Sequence, residues 1–181
     1  MALFLVRVFV NWEDNNGVFT RKLFVSRPDN LVVLKFSSDE GASINTTLSL
    51  SKIIRHDVGR IKKFNLDDNF CIKKVESGTM DNGLYFKAWY ERPWEFESRK
   101  SFKGYEGVVQ VLRSDGKIEM DSDRLILRDA TDVLIVARIE PSDNMEKSRV
   151  LEMSNALKSY DGTYDELLAV HKKIHKELFE R

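Results

Sequence analysis

The chain of 181 residues carries 29 Lys and Arg against 29 Asp and Glu, so its formal net charge is zero, and 42% of its residues are hydrophobic. That length and apolar content sustain a buried core and favour one domain plus a tail. The balanced charge leaves no field to gather a polyanion, which argues against nucleic acid as a partner, and the finely mixed charged residues read as a solvated surface.

The apolar run Ala2–Val6 is short, is broken by Arg7, and has neither a basic leader nor a small-residue cleavage site. It reads as a first strand rather than a secretion signal or a membrane span, and it leaves the compartment open. The single cysteine, Cys71, excludes an internal disulfide; between Phe70 and Ile72 it is expected to be a buried strand residue.

In chain order, Leu3–Trp12 and Val18–Ser26 are strand-like and flank Glu13–Gly17, whose Asn and Gly residues tolerate the positive φ of a tight hairpin. Leu31–Ser37 places Val32, Leu34 and Phe36 on one face. Ser43–Leu50 alternates more cleanly, with Ile44, Thr46, Leu48 and Leu50 opposite Ser43, Asn45, Thr47 and Ser49. That two-residue period gives one side to a core and the other to water or a ligand. Residues 53–68 lack a clear pattern and read as a long loop.

Further strands are expected at Phe70–Ser77, Leu84–Glu91, Gly107–Arg113, Lys117–Met120, Arg124–Leu127 and Thr131–Ile139, with turns at Asn82-Gly83 and Asp115-Gly116. About ten strands imply two packed sheets. After Pro141 the period changes. Ser142 is a candidate cap for a helix to about Ser159, and a second helix begins near Thr163, after Gly162. Its residues Tyr164, Leu167, Leu168, His171, Ile174, His175 and Leu178 form an apolar stripe that requires a covering surface. The expected architecture is mostly β: an antiparallel two-sheet sandwich over 1–140, followed by a C-terminal helical tail over 141–181.

Three groups of residues invite chemical readings. His171 and His175 have the four-residue spacing of a helical metal pair, but Lys172 stands where a metalloprotease helix carries glutamate; the simpler reading places both histidines at the edge of an amphipathic face. Glu91, Glu95 and Glu97 could be nominated as glycosidase carboxylates, yet they alternate with Trp94 and Phe96 as the exposed side of a strand would.

Trp89-Tyr90-Glu91-Arg92-Pro93-Trp94 is the most unusual stretch. Trp89, Tyr90, Arg92 and Trp94 are candidates for sugar binding, because aromatic faces stack on C–H surfaces while a guanidinium serves the hydroxyls. The competing reading packs Trp89 in the core and Trp94 under a loop. With no Gly-rich phosphate loop, nucleophile elbow or zinc-spaced Cys/His cluster in the sequence, no cofactor or metal is expected and no catalytic residue is assigned.

Two stretches resemble a known family. One is Phe19-Thr20-Arg21-Lys22-Leu23-Phe24-Val25-Ser26-Arg27-Pro28-Asp29-Asn30-Leu31 through Leu34, followed by Ser43–Ser51; the other is Lys158-Ser159-Tyr160-Asp161 with Tyr164-Asp165-Glu166-Leu167-Leu168. Both resemble the amino-terminal sandwich domain of glycoside hydrolases of the family 95 type, the α-L-fucosidase family, which is related to the family 65 amino-terminal domain. In that family the sandwich leads through a helical segment into an (α/α)6 barrel that holds the catalytic carboxylates. The resemblance therefore implies a non-catalytic sandwich whose partner is its own barrel, expected after Arg181, with the family's earliest strands expected before Leu3. It also makes the parent a glycoside hydrolase, with secretion or a periplasmic location among its options, and leaves this chain without an activity of its own.

Pro28 fixes φ and Asp29-Asn30 can turn the chain, so the shared signature reads as structural. Two other functions compete with the supporting sandwich. One is a stand-alone carbohydrate-binding module on Trp89, Tyr90, Arg92 and Trp94. The other is an assembly module that pairs through a strand edge or the helical stripe.

Overall fold

The computed structural model describes residues 7–50, 72–90 and 102–179. Ten strands and two helices lie within them: β1 (Val8–Asp14), β2 (Gly17–Ser26), β3 (Leu31–Ser38), β4 (Ile44–Ser49), β5 (Ile72–Met80), β6 (Gly83–Tyr90), β7 (Gly104–Ser114), β8 (Lys117–Asp121), β9 (Arg124–Ala130), β10 (Asp132–Ser142), α1 (Val150–Lys158) and α2 (Tyr164–Phe179). Every strand expected from alternation is present, although the expected starts at Leu3 and Phe70 lie outside the described residues. Cys71 and the loop read over 53–68 lie outside the described residues.

The strands form an antiparallel seven-stranded sheet, ordered β1-β2-β3-β10-β7-β6-β5, and a three-stranded sheet ordered β4-β9-β8. The wide sheet is buried on both faces. Phe19, Val111, Val133 and Ile135 meet Ile44, Leu125 and Leu127 of the narrow sheet. On the opposite face Phe24, Val33, Val108, Leu134 and Val136 meet Val150, Met153, Leu157, Tyr164, Leu167 and Leu168 of the helices. The fold thus has three layers, and each fully buried large side chain contributes about 1.5–3 kcal/mol of burial.

The wide sheet extends beyond the narrow one because a neighbouring strand adds about 4.8 Å of width. At its β1 end, Trp12 lies directly across from Phe19 in the β1–β2 register, on the side that faces the narrow sheet.

Two local expectations change. The turn placed at Asn82-Gly83 lies one residue earlier: Met80 pairs with Gly83, and Asp81 and Asn82 carry φ of 41° and 59°. Both central residues of that two-residue hairpin therefore need positive φ, which Asp and Asn tolerate better than most residues.

The helix expected from Ser142 starts at Val150, because β10 continues through Pro141 and Ser142, which pair with Tyr105 and Gly104 of β7. Beyond Ala137 β10 has no partner in β3, an edge where a proline's missing N–H is tolerated. The first turn of α1 takes its acceptor from elsewhere: buried Glu106 receives the N–H of Arg149 on Oε2 at 2.9 Å.

The stripe on α2 has a surface within this chain. Tyr164, Leu167, Leu168 and His171 are buried, and the Tyr164 and His171 rings lie 5.3 and 5.4 Å from that of Phe24. The helical face expected to await a barrel packs over these turns against β2. Thr163 and Glu166 close the start of α2 reciprocally: Thr163 N–H donates to Glu166 Oε2 at 2.7 Å, and Glu166 N–H to Thr163 Oγ1 at 3.2 Å.

Both β7→β8 and β9→β10, where the chain crosses between sheets, meet at Asp115. Its carboxylate accepts the Thr131 and Asp132 N–H groups at 2.8 and 3.0 Å and the Thr131 hydroxyl. Those donors favour the charged form, so the Asp115 carboxyl is lowered to about 2, the Asp132 N–H contributing most.

Candidate functional site

Of the four residues nominated for sugar binding, Trp89 and Tyr90 fall at the end of β6, both half-buried; Arg92 and Trp94 lie outside the described residues, as do Glu91, Glu95 and Glu97. Trp89 pairs with Gly104 on one side and Lys74 on the other, and Lys74 Nζ stands 4.6 Å from its ring centroid. That ammonium occupies one aromatic face in a cation–π contact.

Tyr90 meets Tyr105 edge to face, with centroids 5.4 Å apart and planes at 76°, while its N–H donates to the Lys103 carbonyl at 2.9 Å. Burial, aided by the nearby Tyr105, raises the Tyr90 phenol above its ordinary pKa of 10.0. It therefore remains a neutral donor and acceptor.

A second aromatic position was not nominated. Trp12, 39% exposed, lies nearly parallel to the inward-facing Phe19, with ring centroids 5.4 Å and planes 18° apart. The pair floors an open cleft of about 620 Å³ between the β1–β2 hairpin and β4, walled by Asp14, Asn16, Phe36, Ile44, Asn45 and Thr46.

Several wall groups are held in place. Asp14 Oδ1 accepts the Asn16 N–H at 2.7 Å, and Asn45 Oδ1 accepts the Asp129 N–H at 3.1 Å. The signal for this site was the hairpin itself: a turn closing Asp14 on Gly17 sets Trp12 opposite Phe19. The denser aromatic run at Trp89–Trp94 drew the nomination instead.

His171 is buried beside Phe24, its Nδ1 has no hydrogen-bond partner among the described residues, and its ring lies 5.7 Å from that of His175. Burial first, then His175 and Arg27, lower its pKa. Among the described residues no group of three or more His, Cys, Asp or Glu side chains is placed to hold a metal ion. No helix among them is long and apolar enough to cross a membrane.

Residues 7–146 match the family described as Glycosyl hydrolase family 65, N-terminal domain. No curated protein matches the chain. Among the solved structures that do is a protein provisionally named kojibiose phosphorylase, from the human microbiome. The likeness covers 97% of this chain and 23% of that one, at 12% sequence identity and a TM-score of 0.54. At that identity it speaks for the fold, and the chain spans less than a quarter of that protein's length.

The match is to family 65 and not to the family 95 type that the two stretches resembled. The structure explains why those stretches discriminate poorly. Buried Ser26 donates to Asp29 at 2.6 Å and Asn30 adopts φ of 53°, so that signature is turn chemistry. Tyr164, Leu167 and Leu168, beyond the matched residues, are helix core.

Proposed function

Because the chain belongs to the family of glycosyl hydrolase family 65 N-terminal domains, we propose that it is the non-catalytic sandwich of a larger carbohydrate-active protein and that it supports an (α/α)6 catalytic barrel. The match over residues 7–146 carries this reading, and the 97% to 23% asymmetry of the structural likeness accords with it. In this proposal residues 1–140 are the sandwich and 141–181 the helical segment leading toward the barrel. Trp89, Tyr90, Arg92 and Trp94 then serve as a rim that can contact sugar beside the cleft of the barrel.

The test compares three proteins: the full-length product, this chain, and the product lacking residues 1–181. Glycoside cleavage is expected from the first and no turnover from the second. The third should be insoluble or strongly impaired. Full activity after deletion, or turnover by this chain, would overturn the proposal.

The sugar follows from the same full-length protein. Assays on an α-L-fucoside, and on kojibiose with and without phosphate, separate the fucosidase-like substrate implied by the sequence resemblance from that named for the structural relative.

A further inference from the structure

We propose that the cleft floored by Trp12 and Phe19 is a binding site for a neutral oligosaccharide, distinct from the Trp89–Tyr90 corner. The chemistry of its lining carries this. A sugar ring presents an apolar C–H face and an equatorial rim of hydroxyls, so a site for it needs an exposed aromatic ring and several short polar groups, among which a carboxylate can accept from hydroxyls.

Trp12 supplies the plane. Phe19 backs it at 5.4 Å and 18°, which fixes the indole orientation while leaving 39% of the residue exposed. By contrast, Trp89 has the Lys74 ammonium over its ring.

The polar groups come from two elements. β4 turns Thr46 inward beside Ile44, and the hairpin turn brings Asp14 and Asn16 to the opposite wall. The Thr46 hydroxyl and the Asn16 carboxamide make no hydrogen bond within the described residues, whereas Asn45 and one oxygen of Asp14 are already engaged. Two polar side chains without a partner among the described residues therefore line the same cleft as Trp12.

The lining also excludes other ligands. It contains no Lys, Arg or His, and its one charge is the Asp14 carboxylate, so phosphate, sulfate or a uronate would meet repulsion without compensation. A volume of about 620 Å³ is within the roughly 300–1,000 Å³ of small-molecule sites, and the open side suits a chain longer than one ring.

The choice of sugar rests on the carbohydrate-active reading above, and the test separates the two. Maltohexaose, cellohexaose, laminarihexaose and xylohexaose are titrated by calorimetry into the 181-residue chain and into the full-length protein. At least one is expected to bind both. Trp12→Ala should weaken that binding tenfold or more and Thr46→Val severalfold, whereas Met120→Ala, exposed on β8 and outside the cleft, should leave it unchanged.

Trp12→Phe keeps the stack on Phe19 and should retain partial affinity, so loss in Trp12→Ala with retained folding is read against it. Unchanged binding in Trp12→Ala, an equal loss in Met120→Ala, or no binding by any of the four sugars would overturn the site. So would binding by the chain that vanishes in the full-length protein, since a neighbouring domain would then own that surface. None of these outcomes bears on the deletion experiment, which decides the supporting role.

Discussion

Glu106 lies near the start of β7, and its Oε2 accepts the backbone N–H of Arg149 at 2.9 Å, 43 positions later in the chain. A carboxylate on the sheet thereby does what a capping side chain does for most helices, and it sets where α1 begins. Arg149 has no side-chain cap, and its guanidinium pairs instead with Glu140 and Glu152.

Replacing Glu106 by Ala should therefore leave a helix-start N–H without its acceptor and cost about 1–3 kcal/mol. For a chain of this length that corresponds to a fall in Tm of roughly 3–10 °C. Glu106→Gln keeps an acceptor and should avoid most of that loss. Thermal denaturation of the two variants checks this, and equal destabilisation would show that the acceptor is immaterial.

Asp115 predicts an acid effect of definite sign. Its carboxyl is lowered from an ordinary 3.8 to about 2 by the Asp132 N–H, the Thr131 hydroxyl and the Thr131 N–H. The stabilisation is present above pH 4 and is lost as pH falls from about 4 through about 2, because the unfolded chain takes up the proton first. Asp115→Asn should cost roughly 1–2 kcal/mol at pH 7 and flatten the stability profile between pH 4 and 2, measured by urea unfolding across that range.

His171 works in a higher window. Its burial against Phe24 disfavours the charged ring, so its folded pKa lies below the ordinary 6.5. Stability should be full above about pH 6.5 and decline as pH falls through the folded value, since the unfolded state protonates first. His171→Leu should remove this part of the decline between pH 7.5 and 5.5. Urea midpoints for the two proteins at both pH values test it, and identical slopes would count against a titrating role.

The reciprocal pair at the start of α2 gives a local prediction. Thr163→Ala removes the acceptor for the Glu166 N–H and should cost about 1 kcal/mol. It should speed amide exchange in the first turn of α2 while leaving the strands unaffected. Glu166 is lowered first by the Thr163 N–H, which the variant keeps, and then by the Thr163 hydroxyl, which it loses, so its carboxyl should rise only part of the way to the ordinary range, which a carboxyl titration by NMR would read.

The strands were legible because a two-residue alternation is a local property: Ile44, Thr46 and Leu48 against Asn45, Thr47 and Ser49 need no knowledge of the rest of the chain. The start of α1 was not, because the Arg149 N–H finds its acceptor on β7, and Ser142, just after Pro141, is a stronger local signal than Ser148, whose Oγ accepts the Val150 N–H at a long 3.4 Å. The α2 stripe was legible as a stripe, but not in what it covers. Its partner Phe24 lies some 140 positions earlier, on a strand whose own pattern does not reveal that both faces of the sheet are buried.

Functional legibility followed the same division. Trp89 and Tyr90 stood out by density of aromatic residues, while Trp12 acquires meaning only once the hairpin register and the unequal widths of the two sheets place it beside β4.

The order of the wide sheet also constrains how the molecule can be made. β10 sits between β3 and β7, so Leu34 pairs with Ile135, about a hundred residues away. During synthesis β1, β2 and β3 can form a meander early, but the outer edge of β3 stays unpaired until β10, the last strand, has emerged. Closure of the sheet is then a late, long-range step, which sets slow refolding and a period of vulnerability to edge-to-edge association. A nascent chain stopped before Asp132 should bind holdase chaperones, and one extended past Ser142 should be released from them.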